Sequence, residues 1–138
     1  MEREIAVDTS VRVRYAETDQ MGIVYYANYL VYFEVGRTAF IRQVWKPYAE
    51  IESLGYVLPA LSASVEYKGS ASYDDLLTIK TILKDYNRVK LTFGYEITRE
   101  DGKLIAIGST LHCFTDLDGK PRRMMKELWD FLQELDSK

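Results

Sequence analysis

The chain has 138 residues, a net charge of −3 at pH 7, one cysteine and one histidine. That length gives room for one domain, and a lone Cys113 excludes an internal disulfide. The mildly acidic balance argues against a nucleic-acid partner, and only a local basic patch for phosphates is compatible with it. No stretch approaches the roughly 18 apolar residues of a membrane-crossing helix, and the Met-Glu-Arg-Glu start carries no apolar signal run. A cytoplasmic protein without a membrane span is therefore expected. The 11 tyrosines suit half-buried surfaces, subunit interfaces and pocket walls, because each joins apolar area to one hydroxyl.

In chain order, the alternation of Val11 and Val13 with Arg12 and Arg14 predicts a first strand over Ala6–Tyr15. A loop, Ala16–Gly22, leads into the apolar segment Ile23–Trp45. From Asn28, taken as the N-cap, this segment reads as a long helix. Its polar residues Glu34, Arg37, Thr38 and Arg42 form one narrow stripe, so most of its circumference must be covered by other elements. Gly36 in its interior costs about 1 kcal/mol relative to Ala, which points to close packing there. Lys46-Pro47 ends the helix, and Ile51–Gly55 is a short connector. Tyr56–Lys68 reads as a strand whose Pro59 requires a sheet edge or a bulge. Strands follow over Leu76–Asp85, Arg88–Thr98 and Lys103–Thr115, the last two joined by the hairpin signal Asp101-Gly102. Cys113 falls in the last of these as a buried strand residue. Asp118-Gly119-Lys120-Pro121 is a turn, and Met124–Leu135 a short amphipathic helix. The order is a strand, a buried helix, then four strands in hairpin-like succession, which is an α+β arrangement. One such sheet covers the helix on one side only, so a homodimer or homotetramer is expected.

Residues Tyr15-Ala16-Glu17-Thr18-Asp19-Gln20-Met21-Gly22-Ile23-Val24-Tyr25-Tyr26-Ala27-Asn28-Tyr29-Leu30, continuing to Phe33-Glu34, resemble the signature of the 4-hydroxybenzoyl-CoA thioesterase/YbgC family. Tyr73-Asp74-Asp75 and Thr115-Asp116 lie where that family has similar sequence. The resemblance implies a hotdog fold, a five-stranded antiparallel sheet wrapped around a long central helix, and an acyl-CoA thioesterase. It also implies that Asp19 attacks the thioester carbonyl or activates water, and that a backbone N–H at the helix start, at Tyr26, polarises the thioester oxygen. YbgC-type members often carry His at this position, whereas the 4-hydroxybenzoyl-CoA type carries Tyr, so a His-assisted step at Tyr26 is unavailable.

The chemistry is consistent with these roles. A helix N-terminus offers unpaired N–H groups and partial positive charge, which stabilise an oxyanion. An Asp just upstream, with Gly22 between, can face them across a carbonyl as nucleophile or general base. Tyr25, Tyr26 and Tyr29, with Asn28, are candidate substrate contacts, and the rings suit an aromatic or short aliphatic acyl group. Glu17 reads as a solvated loop carboxylate. Lys68, Arg88, Lys90 and Arg122, with Lys120 and Arg123, are candidates for the CoA phosphates, gathered from more than one chain. A carrier-protein thioester is an alternative substrate. Ser109 and His112 lie an odd number of residues apart on one strand and face opposite sides, which excludes a Ser-His pair. No cofactor and no metal site are expected. The competing class is a non-catalytic hotdog module that binds an acyl thioester or scaffolds a complex.

Overall fold

The computed structural model describes residues 4–137. Chain order is β1 (Ile5–Arg12), α1 (Asn28–Val44), α2 (Tyr48–Ser53), β2 (Ala60–Tyr67), β3 (Leu76–Tyr86), β4 (Lys90–Arg99), β5 (Leu104–Cys113) and α3 (Lys126–Ser137). The five strands form one antiparallel sheet in the order β1-β3-β4-β5-β2. Strands β3, β4 and β5 are the expected hairpin succession. The second strand is not part of it: β2 crosses the sheet to pair with β5, leaving β1 and β2 as the two edges. Pro59 stands just before β2, and the register slips between Ala60 and Ser62. Both remedies for a proline beside a sheet, an edge and a bulge, are thus in use.

α1 lies across the concave face. Its buried residues, Tyr29, Tyr32, Phe33, Gly36, Phe40 and Ile41, recur at three- and four-residue spacing and meet the inward residues of β3, β4 and β5. Phe33 stacks on Tyr95 with ring centroids 4.3 Å apart, and Phe40 meets the edge of Phe93. At Gly36 the helix backbone comes against β3: a Cβ there would meet Ile79 Cγ2 at 2.7 Å and collide with Thr81. The close approach expected at this glycine is present. The rest of the helix is only partly covered. Leu30, Val31 and Val35 are 43%, 48% and 37% exposed, on a face that the sheet of one chain does not reach.

Several local expectations change. β1 stops at Arg12, and Tyr15–Glu17 form a 3-10 turn. Asn28 is the first helical residue, not the cap: Ala27 takes that place with no side-chain cap bond. The Asn28 amide instead donates to the Glu17 carbonyl at 2.9 Å. The expected connector at Ile51–Gly55 is largely helix, α2, which the chain enters straight from Pro47. β2 begins at Ala60 and not at Tyr56, and α3 begins at Lys126, two residues after Met124. Cys113 is buried and free, as read from the sequence. Among the described residues no helix is long and apolar enough to cross a membrane.

Candidate active site

The segment between β1 and α1 is folded against itself. Thr18 and Val24 form an antiparallel bridge, and the Asp19 N–H donates to the Ile23 carbonyl at 2.9 Å. Between them the chain reverses through Gly22 at φ +80°, a region that favours glycine. The Gly22 N–H returns to the Asp19 carbonyl at 3.0 Å. The Asp19 carboxylate takes part in this turn, accepting the Met21 N–H at 2.8 Å. One of its oxygens is thereby oriented, and the side chain is partly open to solvent. Ile23 bridges to Ser72, and the Val24 N–H donates to Ala71, so the loop is also stitched to the segment before β3.

Glu17 fixes how this loop meets the helix. Its carbonyl accepts the Tyr25 N–H at 2.8 Å as well as the Asn28 amide. Its carboxylate is not solvated as the sequence suggested. It is 9% exposed and accepts from the Arg14 N–H at 2.9 Å, the Tyr32 hydroxyl at 2.9 Å and the Arg14 guanidinium at 3.0 Å. Burial pushes this carboxyl up, but those three hydrogen bonds together outweigh it and hold it below its usual value. The same contact, together with burial, raises the Tyr32 phenol. A loop glutamate became structural because a hydroxyl on the buried face of α1 reaches it, which no local pattern announces.

Beyond this clamp the helix begins. The Asn28 N–H donates to Tyr25 O at 2.9 Å and the Tyr29 N–H to Tyr26 O at 3.4 Å. The N–H groups of Tyr26 and Ala27 are taken up by no acceptor among the described residues. They sit where the helix dipole is positive. Around them stands a group of tyrosines. Tyr25 and Tyr26 have ring centroids 4.7 Å apart and are 45% and 61% exposed. Tyr67, the last residue of β2, meets Tyr29 at 5.5 Å and Tyr26 at 6.5 Å, edge to face. The Tyr25 phenol is raised above its ordinary value, first by its hydrogen bond with the Tyr26 hydroxyl and in smaller part by the negative charge of Asp19. Tyr29, buried beneath, is pushed up to about 12 by burial and then by Tyr67.

The sequence-derived candidates therefore divide. Asp19, Tyr25, Tyr26, Asn28 and Tyr29 share the N-terminal end of α1, and Lys68 follows Tyr67 there, its Nζ 3.1 Å from Glu66. Arg88, Lys90 and Arg122, with Lys120 and Arg123, belong to the other end of the helix, about 25 Å away along its 17 residues. The Arg88 guanidinium lies 5.1 Å from the Trp129 ring on α3. Arg122 lies 3.8 Å above Tyr56 and donates to Gly55 O at 3.0 Å. Lys90 opens β4 beside Cys113. Tyr67 belongs to the site end and escaped the sequence reading, because the pairing of β2 with β5 that carries it there is long-range.

A wholly apolar gap lies away from Asp19. It lies at the far end, among Phe40, Trp45, Tyr48, Phe114 and Leu132, with a volume of about 30 Å³. That is room for a water or two and none for an acyl group, so it is a packing gap. Nearby, His112 is 1% exposed and Nε2 and Nδ1 lie 2.8 Å from Thr110 Oγ1 and 3.1 Å from Leu58 O. Burial first, and then the Arg37 charge, push it down to about 4.

Residues 13–134 match the thioesterase-like superfamily. The chain belongs to that superfamily. Membership fixes its reaction class as thioester hydrolysis and its fold as the hotdog. Within the superfamily the chain is 39% identical over 122 residues to the putative acyl-CoA thioesterase YneP of Bacillus subtilis, covering 88% of each chain. It is 29% identical over 119 residues to the acyl-CoA thioester hydrolase YbgC of Escherichia coli O157:H7, covering 86% of this chain and 89% of that protein. Among solved structures, a DHNA-CoA thioesterase from Staphylococcus aureus superposes with a TM-score of 0.91 at 32% identity, covering 96% of this chain and 91% of that one. These similarities extend the resemblance seen in the Asp19 segment to nearly the full chain.

Proposed function

We propose that this thioesterase hydrolyses an acyl-CoA, with Asp19 as nucleophile or general base and the N–H groups at the start of α1 as donors to the carbonyl oxygen. The observation that carries the reading is the turn at Asp19. A carboxylate oriented by the Met21 N–H stands a few residues before two free N–H groups at a helix start, with both sides tied to Glu17. In the nucleophilic route a carboxylate oxygen bonds to the acyl carbon, the C–S bond breaks, the sulfur leaves as a thiolate that takes its proton from solvent, and water opens the resulting anhydride to the free acid and the restored carboxylate. In the general-base route the carboxylate takes a proton from water as the water oxygen attacks the same carbon, and it returns that proton to the sulfur as the C–S bond breaks. Either way negative charge gathers on the carbonyl oxygen, where the N–H groups of Tyr26 and Ala27 are the available donors. The names of the similar YneP and YbgC proteins support CoA as the thiol; a carrier-protein thioester is the other thiol of the same chemistry. A second copy of the chain fits the exposed Leu30, Val31 and Val35 and the unpaired edge of β2, and it is the means by which Arg88, Lys90 or Arg122 would reach a CoA phosphate.

The test is thiol release from a panel of acyl-CoAs and an acyl carrier protein, with Asp19→Asn beside the wild type. Asn keeps an oxygen for the Met21 N–H, so the turn survives while the carboxylate is lost. The variant should lose at least ~10²-fold in rate, the scale of one positioned catalytic group. Equal turnover by the two proteins sinks the Asp19 assignment, and turnover of the carrier thioester alone sinks CoA as the thiol.

A further inference from the structure

The two free N–H groups differ in what holds them. In a trans peptide the C=O of one residue and the N–H of the next lie in one rigid plane and point in opposite directions, so whatever grips the oxygen aims the N–H. The Tyr26 N–H shares its plane with the Tyr25 carbonyl, which the Asn28 N–H grips at 2.9 Å. That bond forms as the helix forms and needs no further partner. The Ala27 N–H shares its plane with the Tyr26 carbonyl, and the helix serves this oxygen poorly: the Tyr29 N–H reaches it only at 3.4 Å, and the Leu30 N–H goes to Ala27 O at 3.2 Å. The shorter bond comes from outside the helix. The Tyr67 hydroxyl donates to Tyr26 O at 3.1 Å.

From this we infer that Tyr67 is a positioning residue for the hydrolysis, which aims the Ala27 N–H at the thioester oxygen by holding the Tyr26 carbonyl. The inference rests on the proposed function for its reaction and adds a residue, Tyr67, that the motif does not contain. A hydrogen bond accepted by a peptide oxygen also polarises the peptide and strengthens its N–H as a donor, so the hydroxyl acts on both direction and strength. The Tyr67 ring is itself located by edge contacts to Tyr29 and Tyr26, and its strand is fixed on β5 by the pairing of Tyr67 with Ala106. The oxyanion site is thereby tied to the sheet edge. Tyr67 is 50% exposed, so its hydroxyl is not needed to fill the core.

Tyr67→Phe removes the hydroxyl and keeps the ring. The expected result is a kcat lowered roughly 3–10-fold with KM unchanged, since the lost interaction strengthens only as charge develops. The shape of the pH profile should be unchanged, because the Asp19 carboxylate is left in place. Tyr67→Leu, which lacks both ring and hydroxyl, should show at least the same fall in kcat and no rescue. A second measurement needs no substrate: in amide proton–nitrogen spectra of the free protein, Tyr67→Phe should shift the Ala27 amide proton upfield and leave the His112 amide in place. An unchanged kcat overturns the inference, as does an unmoved Ala27 resonance. Absence of turnover by the wild type on every thioester would instead sink the proposed function, and the Ala27 resonance alone would then decide whether Tyr67 positions that peptide.

Discussion

The two ends of α1 are built on opposite rules. At the C-terminal end, α2, α3 and the sheet close over Phe40, Ile41, Leu128 and Leu132, and even the arginines are spent on aromatic rings. Four side chains there, Arg37, Tyr95, Thr110 and His112, form one consistent chain. Arg37 donates to the Tyr95 hydroxyl at 3.1 Å, Tyr95 and Thr110 share a bond of 2.6 Å, and His112 continues it to Leu58 O. With His112 neutral each hydroxyl gives one proton and takes another, and the chain is satisfied. At the N-terminal end the buried polar layer stops at Glu17 and Tyr32. Above it the chain leaves two N–H groups, a carboxylate oxygen and three tyrosine rings facing outward. The chain from Arg37 to His112 closes within the protein, whereas the groups above Glu17 stand where a ligand can meet them, and such unsatisfied polar groups are what reactive sites are made of.

Mutations should therefore separate activity from stability by end. The largest effect belongs to Asp19→Asn, whose loss of ~10²-fold in rate should come with an unchanged melting temperature, measured by thiol release and by calorimetry. A fall in melting temperature of several degrees would show that the turn, not the chemistry, needs the acid. Next is the pH dependence of the closed end. His112 titrates near 4 in the folded chain and near its ordinary 6.5 when unfolded. The unfolded state binds the extra proton first, so stability rises with pH across this window and is lost as pH falls from about 6.5 towards 4, by on the order of 2–3 kcal/mol. Urea unfolding of the wild type against His112→Gln would check it, the variant showing the flatter profile. Gly36→Ala adds a Cβ against Ile79 and Thr81 and should cost about 1–2 kcal/mol, the overpacking exceeding the gain in helix propensity. The smallest effect is that of Arg122→Ala, about 0.5–1 kcal/mol from the lost stacking on Tyr56, measured by urea unfolding.

What the sequence disclosed follows the same division. The span of α1, the strand at β4 and the turn at Asp101-Gly102 were legible because period and turn chemistry are local signals. Asp19 beside the helix start was legible for the same reason. α2 was missed because six residues carry too little periodicity. The crossing of β2 to β5, and with it the place of Tyr67, depends on pairing between distant segments, which local patterns do not encode. That Arg88 and Arg122 lie on aromatic rings was not legible, because a basic side chain in a sequence shows its charge but not the aromatic face, far along the chain, on which it lies. Asn28 read as a cap because Asn is a common one; its amide found a better partner in the Glu17 carbonyl.

Gly36 has a mechanical meaning as well. Where two elements are separated by side chains, small rearrangements are absorbed by rotamers. Where helix backbone lies directly against Ile79 and Thr81, they are not, and the contact works as a pivot. From Gly36 to the first helical residue, Asn28, the lever is about 12 Å long. A tilt imposed at the pivot is therefore delivered, magnified, to the N–H groups beyond Asn28. Two residues of β3, Ile79 and Thr81, thus help set where the start of α1 lies.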